Sequence, residues 1–255
     1  MITLTRRQQL FGLAAGASAL AVGVRPAFAA DTQVAVAANF TEPAREIAGL
    51  FRTATGHTAT LTFGSSGQIY TQLSRGAPYE VFLSADPDRP SRAEQDGLGV
   101  PRSRFTYAIG RIVLFSKTPG LVDANGQVLT TGNFQHIAIA DPAAAPYGAA
   151  AVQTMRKMGV YNKLKSKIVM GTSITQTYQF VDTGSAELGF VALSQVINLT
   201  GGSRWVVPAT NHAPIHQQAI LLHTSQANPA AKAFLDFLKT PAAIAVIRRY
   251  GYEAP

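Results

Sequence analysis

The chain has 255 residues, of which 47% are hydrophobic and 14% charged, and it contains no cysteine. This composition is that of a folded globular protein, and the lack of cysteine excludes disulfides, iron–sulfur clusters, cysteine-ligated zinc and thiol nucleophiles. The formal net charge of +8 includes Arg6, Arg7 and Arg25 near the N-terminus. Because the remaining Lys and Arg residues are scattered along the chain, the charge does not predict nucleic-acid binding.

The first thirty residues have the three-part pattern of a signal peptide. A basic start, Thr5-Arg6-Arg7, precedes an apolar stretch over 10–24, and Ala27-Phe28-Ala29 forms an A-x-A cleavage site. We therefore predict that residues 1–30 are a signal peptide, cleaved near Ala29 and Ala30, and that the protein is periplasmic. The paired arginines are similar to a twin-arginine signal, so export by the Sec route and export by the twin-arginine route both remain open.

After this segment, short β-branched or aliphatic runs alternate with longer segments of helical period. In chain order, the predicted strand and helix pairs are 33–38 with 41–53, 58–63 with 68–73, 81–84 with 87–95, 137–140 with 147–158, and 188–191 with 194–197. Alternating strands and helices predict an α/β protein whose sheets are mainly parallel and covered by helices on both faces.

Two longer aliphatic strands, 106–116 and 217–224, are predicted to pass between two lobes. They imply a discontinuous arrangement with a hinge at the crossing strands, near 109–111 and 213–217. The predicted bounds are 31–109 plus 214–255 for the first lobe and 110–213 for the second.

Three pairs of residues predict the starts of helices, because each places a capping side chain before a proline. They are Asp86-Pro87, Asn228-Pro229 and Thr240-Pro241. The chain should therefore end in two helices, and their apolar faces should pack on the first lobe.

Several strand-to-helix loops consist of small, neutral residues with hydrogen-bonding groups. They are Ala38-Asn39-Phe40-Thr41, Gly64-Ser65-Ser66-Gly67, Pro146-Tyr147-Gly148-Ala149 and Gly171-Thr172-Ser173-Ile174. In an open α/β sheet such loops lie at the carboxyl ends of the strands, where ligands bind. Each loop delivers a helix N-terminus, whose free backbone N–H groups favour an anion. Converging loops of this kind predict a site for a small oxyanion without Arg or Lys in contact.

The same loops carry a family resemblance that covers nearly the whole mature chain. Its motifs are Ala37-Ala38-Asn39-Phe40-Thr41, Phe63-Gly64-Ser65-Ser66-Gly67, the segment 76–86, Ala140-Asp141-Pro142 with Pro146-Tyr147-Gly148, and Leu188-Gly189-Phe190-Val191. In this order and spacing they resemble the periplasmic molybdate-binding proteins of molybdate ABC transporters. The resemblance implies a two-lobed periplasmic-binding-protein fold of type II, which closes on a tetrahedral oxyanion and presents it to a membrane permease.

The resemblance also implies which residues contact the oxyanion. The first contact falls on Ala38 and Asn39, the second on Ser65 and Ser66, the third on the backbone N–H of Tyr147 and the fourth on that of Ile174. A tyrosine that donates its hydroxyl in some members falls on Ala192, so that hydroxyl is missing here. The amide of Asn39 and the hydroxyl of Tyr147 are the candidates to replace it.

Neutral donors suit molybdate because it is a dianion with no proton to donate, whereas a singly protonated phosphate requires an acceptor. We therefore expect a monomeric carrier for molybdate, and for tungstate, which is nearly the same size. Molybdenum would enter only within the oxyanion, with no direct protein ligand to the metal and no cofactor. A carrier for sulfate, phosphate or an organic anion is the alternative.

An enzyme is the alternative from a different class. Gly64-Ser65-Ser66-Gly67 superficially resembles a nucleophile elbow, but it is not G-x-S-x-G, and no acid and histidine follow in an order that completes a triad. His212 and His216 are four residues apart, but Pro214 between them disfavours a shared helix face for a metal. The sequence therefore predicts a binding protein and not a hydrolase.

Overall fold

The structure, a computed structural model, describes residues 29–254, and the predicted signal peptide lies outside the described residues apart from its last two positions. The strands in this range are β1 Asp31–Ala37, β2 Thr58–Gly64, β3 Val81–Ser84, β4 Phe105–Gly110, β5 Ile112–Ser116, β6 Ile137–Ala140, β7 Ile168–Gly171, β8 Leu188–Ala192, β9 Ser203–Val206 and β10 Ile215–Leu221. The α-helices are α1 Thr41–Thr55, α2 Ser66–Leu73, α3 Asp88–Gln95, α4 Val128–Thr131, α5 Pro146–Lys157, α6 Tyr161–Leu164, α7 Ile174–Asp182, α8 Leu193–Val196, α9 Pro229–Phe237 and α10 Pro241–Arg249.

The strands form two five-stranded sheets, one in each of two lobes. Lobe I has the strand order β2-β1-β3-β10-β4 and lobe II the order β7-β6-β8-β5-β9. This architecture confirms the predicted two-lobed α/β fold.

Each sheet is mixed, with four strands that run in one direction and one antiparallel strand, so the prediction of mainly parallel sheets is confirmed. In lobe I, β1 is parallel to β2 and β3, whereas β10 is antiparallel to β3 and β4. Lobe II repeats this pattern, with β6 parallel to β7 and β8 and β5 antiparallel to β8 and β9. The physical reason for the antiparallel strand is that β10 and β5 each enter their sheet from the other lobe and not through a crossover helix, which is the connection that parallel strands require.

The chain crosses between the lobes twice. The predicted strand 106–116 is interrupted at Arg111, where β4 of lobe I ends and β5 of lobe II begins. The second crossing leads from β9 to β10, which starts two residues before its predicted position. Ile215 pairs with Gly110, and the Val207 N–H donates to the Ile112 carbonyl at 3.1 Å, so the two crossings lie side by side.

The helices at the end of the chain begin at the predicted caps. The side chain of Asn228 accepts from the Ala230 N–H, and that of Thr240 accepts from the Ala243 N–H. Both helices pack on lobe I together with α1. The rings of Phe51 and Phe234 contact edge to face there, with 5.2 Å between their centroids. Among residues 29–254, no helix is both long enough and apolar enough to cross a membrane.

The third predicted cap is present, although its helix starts later. The Asp86 carboxylate accepts from the backbone N–H of Arg89 at 2.9 Å, but α3 begins at Asp88 and not at Pro87. The cap therefore acts from just outside the helix.

The apolar core of lobe II continues into lobe I. Ala37, Ala38 and Ala85 of lobe I belong to the same buried cluster as Tyr147 and Ile174 of lobe II. The two lobes are therefore closed on one another, and any ligand between them is shielded from water.

Candidate anion-binding site

A small cavity of about 10 Å³ lies between the lobes. The residues that line it are all uncharged: Ala37, Ala38, Asn39, Ser65, Ser66, Ala85, Ala145, Pro146, Tyr147 and Ile174. Every predicted contact residue except Ala192 therefore lines this cavity.

Each predicted contact lies where a strand gives way to a helix. Ala38 and Asn39 follow β1, and Ser66 is the first residue of α2 in lobe I. Tyr147 is the second residue of α5, and Ile174 is the first residue of α7, in lobe II. The first N–H groups of a helix have no acceptor within the helix, so donors and positive dipole ends from both lobes converge on the cavity. This arrangement favours a small anion.

Ser66 keeps its hydroxyl proton available for a ligand. Its Oγ accepts from the backbone N–H of Ala85 at 2.9 Å, and that bond uses an oxygen lone pair and not the proton. The side chain is buried at the cavity wall. Ser66 therefore presents both a hydroxyl donor and a helix N-terminal N–H.

Ser65 contributes less, because its backbone N–H is already bonded. Ser65 and Gln68 form a capping box: the Ser65 N–H donates to Gln68 Oε1 at 3.1 Å, and the Gln68 N–H donates to Ser65 Oγ at 3.3 Å. Only the hydroxyl proton of Ser65 is left for a ligand, so the free donors of the second loop lie chiefly on Ser66.

The side chain of Asn39 is directed away from the cavity. Its Nδ2 donates to Gln217 Oε1 at 2.8 Å and to the Tyr252 hydroxyl at 3.0 Å, which uses both amide protons. The Tyr147 hydroxyl accepts from Gln217 Nε2 at 3.2 Å and belongs to the same cluster. The structure thus places neither expected replacement for the missing hydroxyl in contact with an ion in the cavity.

Ala192 does not line the cavity. It is fully buried at the end of β8, and its backbone N–H donates to Gln195 Oε1 at 2.9 Å. Because its side chain carries no donor and its N–H is already bonded, Ala192 has no free hydrogen-bond donor for an oxyanion.

A buried cluster of polar side chains is hydrogen-bonded to the first loop at Asn39. Its members are Asn39, Tyr107, Tyr147, Ser194, Gln217 and Tyr252. Gln217 is its centre, because Oε1 also accepts from the Tyr107 hydroxyl at 3.0 Å. Ser194 of lobe II donates to the Asn39 carbonyl at 2.8 Å, and the Tyr252 hydroxyl donates to the same oxygen at 2.7 Å. The cluster therefore fixes the backbone at Asn39 and ties the lobes together.

Ser194, Gln217 and Tyr252 are not predicted by any motif in the sequence. The available signal is Gln217 itself, a glutamine at a buried position of an otherwise largely aliphatic strand. A buried amide requires partners, but sequence cannot say which residues supply them.

Burial raises the pKa of Tyr107 and Tyr147 well above the usual value of 10.0, and it raises the pKa of Tyr252 to about 12. These hydroxyls therefore stay protonated, and the folded state resists their ionisation. Their stabilising contribution is complete below pH 10 and is lost as the pH rises through the folded-state values.

We expect the free energy of unfolding to fall between about pH 10 and pH 12, by about 3 kcal/mol from Tyr252 alone. Urea titrations over this range measure the effect. Tyr252→Phe should flatten part of the fall, whereas Tyr161→Phe on the partly exposed α6 should leave it unchanged. Equal pH dependence in wild type and Tyr252→Phe would contradict the role given to this hydroxyl.

Asn39→Ala tests whether the amide serves the cluster or the ligand. Removing Nδ2 takes donors from Gln217 and Tyr252, so we expect the free energy of unfolding to drop by about 1–3 kcal/mol, with a smaller loss of anion affinity. Denaturant unfolding and calorimetry measure both quantities, and Asn162→Ala on the protein surface is the control. Unchanged stability with a large loss of affinity would instead place the amide on the ion.

The described residues hold no cluster of three or more His, Cys, Asp or Glu side chains positioned to bind a metal ion. The His212 ring contacts the carbonyl of the next residue, Ala213, at 2.7 Å. His216 is exposed on β10.

Two mixed α/β lobes, joined by paired crossing segments and closed on a small uncharged cavity, define a two-lobed solute-binding protein. Residues 32–253 match the family described as bacterial extracellular solute-binding protein, and the chain belongs to this family. Membership confirms the prediction of a binding protein and not an enzyme, and it places the chain outside the cytoplasm.

Within this family, the chain is similar to molybdate-binding proteins. It is 56% identical to the molybdate-binding protein ModA of Rhodobacter capsulatus, over 94% of this chain and 96% of that protein. The solved structure of the Azotobacter vinelandii periplasmic molybdate-binding protein superimposes with a TM-score of 0.85 at 43% identity, covering 88% of this chain and 99% of that one. The sulfate-binding protein SubI of Mycobacterium tuberculosis shares the fold, with a TM-score of 0.76 at 12% identity over 88% and 87% of the two chains.

Proposed function

We propose that this protein captures molybdate, and also tungstate, in the cavity between its lobes and delivers it to an ABC permease. Two relatives support the ligand, since the chain is 56% and 52% identical to molybdate-binding proteins over 94% of its length. At this identity the residues around the cavity are expected to serve the same class of ligand.

The observation that carries the proposal is the composition of the cavity wall. Backbone N–H groups at helix starts and the hydroxyl of Ser66 converge from both lobes on a space lined only by uncharged residues. A dianion that needs many donors and offers no proton matches such a wall.

Phosphate matches the wall less well, because its remaining proton needs an acceptor. Two carboxylates near the loops are already bonded: Asp86 accepts from Arg89, and Asp141 Oδ1 accepts from the Ala143 N–H at 2.9 Å. Neither residue lines the cavity. A protonated phosphate would therefore leave its own donor unpaired, which is unfavourable in a site shielded from water.

In this proposal the ion is bound by closure of the two lobes about the crossings near Gly110–Arg111 and 207–214. The ion stabilises the closed form because it contacts donors on both sides of the cleft. The protein works as a periplasmic monomer without a cofactor, after cleavage of its signal peptide, and the closed form docks on the permease.

Thermal unfolding with a panel of anions tests the assignment. A ligand present at about 100 times its dissociation constant stabilises the folded state by about 3 kcal/mol, which raises the melting temperature by about 5–10 °C. We expect this rise with molybdate and tungstate and none with sulfate or phosphate at equal concentration. A rise with sulfate or phosphate and none with molybdate would reassign the protein to another anion.

A further inference from the structure

Next to the cavity, a turn of lobe II is bonded directly to lobe I. The backbone N–H of Gly67 donates to the Ala144 carbonyl at 2.9 Å, and Arg89 Nη2 donates to the Ala143 carbonyl at 2.8 Å. Gly67 follows Ser66 in the chain, and Ala144 lies three residues before Tyr147. These interlobe bonds therefore connect the segments that carry two of the proposed contacts with the ion.

Both sides of this contact are held in place by their own lobe. Arg89 is fixed by Asp86, which accepts from its backbone N–H at 2.9 Å and pairs with Nη1 at 2.5 Å. In lobe II, the N–H groups of Ala144 and Ala145 donate to the Asp141 carbonyl at 3.2 and 2.8 Å. Donors and acceptors are thus oriented before the lobes meet, which lowers the entropy lost when the contact forms.

Gly67 also lies close to the backbone of lobe II. A Cβ at this position would lie 3.0 Å from both the Cα and the carbonyl oxygen of Ala144, and 3.0 Å from Arg89 Nη2. Contacts this short with backbone atoms require the lobes to separate by a few tenths of an ångström. A side chain at position 67 therefore opposes full closure without touching the cavity.

We propose that Gly67 and Arg89 of lobe I form a clasp with the 143–144 turn of lobe II, and that this clasp holds the closed form around the bound oxyanion. This inference rests on the proposed function. Gly67 and Arg89 are positioning residues, since neither lines the cavity. Bonds made only in the closed form shift the equilibrium toward it, so the clasp slows release of the ion.

Gly67→Ala and Arg89→Gln test the clasp against matched controls. Gly49→Ala introduces the same methyl group within a helix, at a site with no neighbour within 4 Å, and Arg52→Gln removes an exposed charge from the same helix. Calorimetry gives the dissociation constant for molybdate, and small-angle scattering gives the radius of gyration with and without molybdate.

We expect both clasp variants to bind molybdate about tenfold more weakly, while the controls match wild type. Ligand-free Gly67→Ala should melt at the same temperature as wild type or higher, because alanine favours a helix over glycine. A merely structural role would lower the melting temperature and the affinity together. At a molybdate concentration that half-saturates wild type, both variants should have a larger radius of gyration than wild type, because fewer molecules are closed.

Wild-type affinity in both clasp variants would overturn the clasp and leave the proposed function intact. A lower ligand-free melting temperature for Gly67→Ala would also overturn it, since the glycine would then serve the fold of lobe I. Failure of the wild type itself to bind molybdate would overturn the proposed function and the clasp with it.

Discussion

Ser66→Ala is expected to weaken molybdate binding about a hundredfold while the ligand-free protein stays folded. The hydroxyl of Ser66 is buried at the cavity wall, and its proton is free because its oxygen accepts from the Ala85 N–H. A hydrogen bond to a charged group contributes about 1.5–3 kcal/mol, and about 1.4 kcal/mol is a factor of ten in affinity. Titration calorimetry of the variant with molybdate measures the loss.

Ser74→Ala is the matched control for this experiment. Ser74 lies at the other end of the same helix, α2, and is exposed to solvent, so its loss should leave the affinity unchanged. The Ala85 N–H loses its acceptor in Ser66→Ala, and we expect water to replace that acceptor in the ligand-free protein when the cleft opens. An affinity within twofold of wild type would remove the Ser66 hydroxyl from the site.

Gly148→Ala is expected to lower the free energy of unfolding by about 3 kcal/mol and to weaken molybdate binding more than tenfold. A Cβ at this position would lie 2.1 Å from the carbonyl oxygen and 2.7 Å from the carbonyl carbon of Ala140, at the end of β6. Neither backbone atom can move alone, so the start of α5 must shift outward. That shift displaces the neighbouring N–H of Tyr147 from the cavity.

Denaturant unfolding and calorimetry separate the two effects of this substitution. Gly49→Ala in α1 adds the same methyl group in open space and should stabilise the protein slightly, since alanine is the better helix former. Wild-type stability in Gly148→Ala would show that α5 does not need this close approach to β6. Reduced stability with wild-type affinity would mean that the Tyr147 N–H is not part of the site.

Local patterns predict much of the fold, because the signals lie within a few residues of the elements they specify. The strands at 81–84 and 137–140 have their predicted bounds, and Asn228 and Thr240 cap their helices as expected. A hinge near 109–111 is predicted, but the end of one strand and the start of another at Arg111 are not visible locally. Both halves of 106–116 have strand composition, and only the presence of a second sheet requires the chain to turn there.

The cavity loops are predicted for the same reason. Each is a short run of small polar residues at a helix start, and the motif series places them in one family. The use of each side chain depends instead on distant parts of the chain. Asn39 is bonded to residues 178 and 213 positions away, so its amide belongs to a buried cluster that sequence proximity does not reveal.

The consequence of the missing hydroxyl at Ala192 also depends on the three-dimensional structure. Its loss is visible in the sequence, but the consequence is not, because Ala192 does not line the cavity and its N–H is bonded to Gln195. The donor set that the structure presents is therefore centred on Ser66 and the helix starts. Substitutions within the buried cluster should act on stability first and on affinity second.

Isothermal titration of residues 31–255 with molybdate, tungstate, sulfate and phosphate measures directly which anions the cavity binds. We expect tight one-to-one binding of molybdate and tungstate and no heat from sulfate or phosphate. If molybdate produced no heat and another anion did, the proposed molybdate carrier function would be contradicted. The same uncharged cavity would then bind a different ligand.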